Sequence, residues 1–167
     1  CLRLVGSEMC IRDRSIHWVA ASKDERPGGE WKLGDAGFGY GDDDDQTVLK
    51  AMRGKYRSVY IRRAYEVPAK APQGAELTVG IRYDDAFILY RDGKEVLRKG
   101  VEGSGASIGE VKKHEAEVWE YFKIGPANPG QKGVIAIEGH NENIDSSDFT
   151  LRPRIDYRAN GKLYPVI

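Results

Sequence analysis

Two polar clusters carry the densest chemistry in this chain of 167 residues. The first is Asp42 to Asp45, within GYGDDDDQTVL. Adjacent carboxylates repel one another, so the run needs a cation, basic neighbours or bulk water. Calcium suits it, because hard cations take roughly six to eight oxygen ligands. The spacing is not that of an EF-hand: with Asp42, Asp44 and Gln46 as the first ligands, Thr47 falls where that loop requires glycine. The alternatives are a turn in which the first or last Asp caps backbone amides, and a loop packed near Arg62 or Arg63 as screened surface pairs. The second cluster is GHNENIDSSD, which brings His140, Asn141, Asn143, Asp145 and Asp148 together behind Glu138. Asn and Asp match sugar hydroxyls, and an aromatic such as Trp119 or Tyr121 can stack on a pyranose ring. Trp119, Tyr121, Glu138, His140, Asn141 and Asn143 are therefore the candidate sugar-binding set. The competing reading is an internally hydrogen-bonded connection in which Asp145 or Ser146 makes the local turn, with His140 a satisfied structural residue rather than a metal ligand.

No catalytic arrangement accompanies these clusters. Asp84 and Asp85 suggest paired carboxylates for hydrolysis, but neighbours on a strand point to opposite faces, which favours bonding to loop amides. HEAEVWE lacks the second histidine of a zinc protease helix, GSGAS is not a nucleophile elbow, and GFGYGD lacks the third glycine of a dinucleotide fingerprint. Three histidines spread along the chain cannot build a two-metal phosphoesterase centre. The chain is not expected to be an enzyme by itself.

The elements that must position these residues are strands. YRSVYIRRAYEV and ELTVGIRY alternate apolar and polar residues at a period of two. AFILYRDGKEVLRK reads as a hairpin closed by Asp92-Gly93, a pair that accepts positive φ in a primed turn. EAEVWEYFKI places Val118, Glu120 and Phe122 on one face and Trp119 and Tyr121 on the other. GVIAIEGH fits a central strand covered on both faces, and Pro153 in DFTLRPRI suggests an edge or a strand end. The stretch from Ser22 to Asp45 reads as a long loop pinned by Trp31, Leu33, Phe38 and Tyr40. Short strands without a long helix imply an all-β protein, a β-sandwich jelly roll. The chain is long enough to bury a core without disulfides. With 26 basic and 26 acidic side chains it has no electrostatic footprint for nucleic acid or an anionic membrane. No stretch approaches the roughly 20 apolar residues of a membrane span.

Residues 1–14, CLRLVGSEMCIRDR, contain both cysteines, Cys1 and Cys10, and show no periodicity. LVGSEMCIRDR resembles translated sequencing-adapter read-through of the kind found in metagenomic reading frames. The expected organisation is a non-native leader at 1–14, a β-sandwich module at 15–156 that is short of its first strand, and a linker at 157–167 leading to a further segment.

WKLGDAGFGYGDDDDQTVL, SVYIRRAYEV, RYDDAFILYRDGKEV and GVIAIEGHNENIDSSDFTLRPRI together resemble the galactose-binding-domain-like jelly-roll modules attached to secreted bacterial enzymes. The resemblance covers roughly residues 28 to 155. Its nearest form is the module beside calcineurin-like or purple-acid-phosphatase-like metallophosphoesterases, and other copies accompany glycoside hydrolases. In that family an upstream Trp-bearing strand precedes the GYGD motif, a place that Trp18 or Trp31 can fill. The resemblance implies a non-catalytic accessory module, extracellular, cell-surface or periplasmic, that binds carbohydrate weakly. Its partners are a carbohydrate or an adjacent catalytic domain, and structural calcium is the cofactor it allows. The alternative it leaves open is a purely structural module packed against that catalytic domain.

Overall fold

The computed structural model describes residues 18–22, 32–42, 45–103 and 107–167. The described residues form strands and turns with no α-helix, arranged in two sheets that face each other as a β-sandwich. The strands are β1 (Trp18–Ser22), β2 (Lys32–Gly34), β3 (Phe38–Tyr40), β4 (Thr47–Val48), β5 (Ser58–Glu66) and β6 (Glu76–Asp84). They continue with β7 (Ala86–Arg91), β8 (Lys94–Lys99), β9 (Glu120–Pro126), β10 (Lys132–His140), β11 (Phe149–Ala159) and β12 (Lys162–Pro165). One sheet has the order β2-β1-β5-β10-β7-β8; the other has the order β4-β3-β11-β6-β9, with β12 also paired to β11.

Alternation explains the core. Leu77, Val79, Ile81 and Tyr83 point inward from β6, Phe149, Leu151 and Ile155 from β11, and Ile135 and Ile137 from β10. Between the sheets Tyr83 meets Phe87 edge to face at 4.7 Å. The β7–β8 hairpin turns at Asp92 and Gly93, with φ of 51° and 81°, the double positive φ that the Asp-Gly pair anticipates.

Three local expectations change. The stretch read as one long loop contains β2 and β3, because Phe38 is buried between the sheets and β3 pairs with β11. Of its anchors Leu33 is exposed, while Trp31 lies outside the described residues. Residues 157–167 are not a linker: β11 runs through Ala159, turns at Asn160-Gly161 and returns as β12. Tyr157 stacks on Tyr164 at 5.2 Å, Val166 enters the core, and Ile167 exchanges backbone hydrogen bonds with Glu66. Pro153 does not mark an edge, since β11 is interior. It falls between the segment paired to β3 and the segment paired to β12, where only β6 bonds to β11. A missing N–H leaves no gap in the ladder on that open flank. β1, in turn, is an inner strand between β2 and β5.

Candidate functional site

The outward residues of β6 and β11 build one continuous surface. The register sets Asp84 opposite Thr150, Arg82 opposite Arg152, Gly80 opposite Arg154 and Thr78 opposite Asp156. On the other side of β6, β9 places Tyr121 opposite Gly80. Tyr121, Gly80 and Arg154 thus form one row across three strands.

Glycine is required in the middle of that row. A Cβ at Gly80 would lie 2.7 Å from Tyr121 Cε1 and 2.9 Å from Arg154 Cγ, so the absent side chain lets the tyrosine ring lie over the sheet. Trp119 stacks beside Tyr121, with centroids 6.3 Å apart and planes inclined by 29°. The Arg154 guanidinium carbon lies 5.9 Å from the centroid of the Trp119 ring. Arg154 Nε and Nη2 donate to the two carboxylate oxygens of Asp156 at 2.6 and 2.9 Å, which fixes the guanidinium plane. Tyr121 keeps 39% of its surface exposed.

At one end of the surface lies a group of carboxylates. Asp84, Glu115 and Asp148 each offer an oxygen within 4.8 Å of the others. Burial, followed by its carboxylate neighbours Asp85, Asp148 and Glu115, pushes the Asp84 carboxyl up to about 9. Asn141, fully buried, donates through Nδ2 to the Asp148 carbonyl at 2.7 Å and to Tyr40 Oη at 3.3 Å. Its Oδ1 is buried with no hydrogen-bond partner. Oxygen donors of this kind suit calcium. Asp85 acts differently, as an acceptor for loop amides. Its two oxygens accept the backbone N–H groups of His114 and Glu142 at 3.0 and 2.6 Å. The His114 ring stacks on Tyr83 at 4.0 Å and holds Glu120 through Nε2 at 2.9 Å. These contacts anchor the loop that carries Glu115 and leads into Trp119.

The structure does not gather the sequence-derived sugar set in one place. Trp119 and Tyr121 lie on the second sheet, whereas Glu138 and His140 point outward from β10 in the first. There Glu138 accepts the Tyr90 hydroxyl at 2.9 Å, and His140 shares a hydrogen bond with Ser58 Oγ at 2.9 Å. Both are buried, His140 completely. Asn141 joins the carboxylate end instead. Asn143 is exposed and makes a local turn, accepting the Asp145 N–H at 2.9 Å and donating to Glu142 at 3.2 Å. In the aspartate run Asp42 is exposed, Asp45 turns its carboxylate onto Gly39, and Asp43 and Asp44 lie outside the described residues. Among the described residues, the carboxylates that converge are Asp84, Glu115 and Asp148 rather than members of that run. Glu115 gives no signal in the sequence, because nothing near it in the chain marks it. Arg152 and Arg154 are legible as same-face neighbours in RPR, but their partner Arg82 is not.

No family model and no curated protein matches the chain. Solved structures with similar regions include Faecalibacterium prausnitzii β-glucuronidase, at 14% identity, TM-score 0.48, covering 74% of this chain and 20% of that one. The GH31 α-xylosidase of Xanthomonas citri is similar at 18% identity and TM-score 0.46, covering 83% of this chain and 13% of that one. A PA14 sugar-binding domain from an RTX adhesin is similar at 13% identity and TM-score 0.33, covering 75% of this chain and 55% of the domain. The chain spans only a small part of the two glycosidases, and likeness at these values carries no assignment of activity.

Proposed function

We propose that this β-sandwich is a non-catalytic accessory module of a larger extracellular or surface enzyme, and that it binds carbohydrate on the outer face of its second sheet. One observation carries the reading: the Tyr121 ring lies over Gly80, with Trp119 stacked beside it and the Arg154–Asp156 pair next to them. Flat apolar ring faces next to fixed donors and acceptors suit a pyranose, which offers C–H faces to aromatic planes and hydroxyls to its rim. The reading keeps Trp119 and Tyr121 from the sequence-derived set and gives Glu138 and His140 a structural role. Tethering of this kind raises the local concentration of an attached enzyme at a polymeric substrate. The galactose-binding-like motifs and an attached metallophosphoesterase-like or glycosidase domain belong to the same proposal.

Calcium enters as a structural ion, held by Asp84, Glu115 and Asp148 with the buried Asn141 Oδ1 beside them. Its role is to neutralise the carboxylates and fix the loop that presents Trp119. The second reading, a packing module, is favoured by the exposed Leu33 and Val48 on the edge strands β2 and β4. The two readings separate in a glycan-array experiment with the intact chain and the Trp119→Ala, Tyr121→Ala double variant. Binding that disappears in the variant supports the glycan module; no binding by either protein favours the packing module.

A further inference from the structure

Glu115 and Trp119 stand four residues apart on one segment, yet they serve different parts of the candidate site. The Glu115 carboxylate converges with those of Asp84 and Asp148, whereas Trp119 stacks beside Tyr121. Residues 112–119 contain no strand of their own. The segment is pinned on either side of Glu115: Asp85 accepts the His114 N–H at 3.0 Å, and the Ala116 carbonyl accepts from Arg82 Nε at 2.7 Å. Between these pins the Glu115 side chain is exposed, and among the described residues no hydrogen bond or ion pair engages its carboxylate. Tyr121 is held differently, by the pairing of β9 with β6 at Gly80.

Three carboxylates within 4.8 Å of one another repel, and a cation among them turns that repulsion into attraction. Asp84 is buried at the end of β6, so the exposed Glu115 is the member that yields. Asn141 supplies an independent sign of a cation. Its Nδ2 faces the Asp148 carbonyl and Tyr40 Oη, and the Tyr40 hydroxyl donates in turn to the Ser146 carbonyl at 3.0 Å. A carbonyl can only accept, which settles the amide orientation. Asn141 Oδ1 is thereby left beside Asp148 as a fully buried acceptor with no hydrogen-bond partner. An unpaired buried oxygen next to converging carboxylates suits a hard cation.

We propose that calcium regulates the glycan site: by drawing Glu115 toward Asp84 and Asp148 it holds the segment through Trp119 in the conformation that sets the Trp119 ring beside Tyr121. The inference rests on the glycan-binding reading above and adds a coupling between the ion and the sugar. Such a coupling is reciprocal, so bound glycan strengthens calcium binding by the same factor. Its size is bounded by what one aromatic ring contributes to binding, about two- to twelvefold in affinity.

The test compares the whole chain in millimolar calcium chloride and in EDTA at matched ionic strength. Calorimetric titration with calcium chloride is expected to saturate, and hydrogen exchange across residues 114–121 is expected to slow when the ion is bound. Affinities for cellohexaose, maltohexaose, xylohexaose and the strongest ligand on the glycan array are then measured in both buffers. For the parent chain calcium should tighten binding by about two- to twelvefold. Trp119→Ala should show no such gain, its weaker binding through Tyr121 being the same in both buffers. Glu115→Gln should bind sugar in calcium only as well as the parent does in EDTA. Thermal unfolding of each variant establishes that it is folded. Absence of calcium binding, or calcium binding that leaves sugar affinity unchanged, overturns the inference while leaving the glycan-binding reading intact. An equal gain in the parent and in Trp119→Ala also overturns it, because the ion then acts by a route other than the Trp119 ring. No binding of any oligosaccharide in either buffer, together with a blank glycan array, removes both.

Discussion

The two outer faces of this sandwich carry much the same polar and aromatic residue types, yet they do different things with them. On the first sheet Tyr60, Arg62, Glu138 and His140 are all buried, with Glu138 bonded to Tyr90 and His140 to Ser58. On the second, Tyr121 and Arg154 meet solvent, and Gly80 clears the space in which the tyrosine ring lies. Residue type alone marks both faces as candidates for recognition. Burial separates them, because a side chain closed off from solvent cannot reach a ligand.

Substitutions on each face should therefore affect different measurements. The largest stability effect is expected for Glu138→Ala, which leaves the Tyr90 hydroxyl and the His140 ring without their carboxylate partner in a buried setting. A loss of about 2–3 kcal/mol in urea unfolding is expected, with glycan binding unchanged in the fraction that remains folded. Gly80→Val reverses the pattern: the added branch displaces Tyr121, so binding should fall by at least tenfold with a smaller loss of stability. Trp119→Ala alone removes one aromatic plane, worth about 0.5–1.5 kcal/mol of binding, and should leave the melting temperature nearly unchanged. If Glu138→Ala abolished binding while the protein stayed folded, the distinction between the two faces would fail.

The carboxylate end adds a pH dependence. In the folded protein the Asp84 carboxyl is raised to about 9, far above the usual carboxylate range, mainly by burial. A raised carboxyl contributes stability that is fully present below its unfolded pKa and is lost as pH rises through its folded one. In chelator the protein should therefore melt lower at pH 8.5 than at pH 5, and Asp84→Asn should shrink that difference. Millimolar calcium should raise the melting temperature of the parent chain, since an ion bound only to the folded state stabilises it by mass action. Glu115→Gln and Asp148→Asn should each reduce that gain, whereas Asp42→Asn should not. The smallest effect is expected at the exposed Lys123–Glu76 pair, where Lys123→Ala should change stability by under about 1 kcal/mol and leave binding alone.

Much of the fold is legible in the alternation of single strands. ELTVGIRY declares its inward residues, and Asp92-Gly93 declares its turn. Asn160-Gly161 carries the same kind of signal, with φ of 50° and 74°. The strand it introduces is hidden because β12 is only four residues long and shows no rhythm of its own. β2, β3 and β4 are shorter still, and pairing with β11 rather than local pattern sustains β3. The site is legible only as residue types. Trp119 and Tyr121 stand out as aromatics, but their separation from Glu138 and His140 depends on which sheet each strand joins, and that is settled by long-range pairing. Asp84, Glu115 and Asp148 meet only because the loop before β9 folds back over the end of β6, held by His114 and Asp85. Arg82 and Arg152 become partners through the register of two strands far apart in the chain.

The most direct measurement is a tryptophan-fluorescence titration of the intact chain with oligosaccharides, alongside Tyr121→Ala and Gly80→Val. The expected result is a saturable change in emission for the parent chain, weakened at least tenfold in both variants, while their unfolding curves remain cooperative. A saturable change of the same affinity in all three proteins would show that sugar binds elsewhere and would contradict the assignment of the second sheet's outer face.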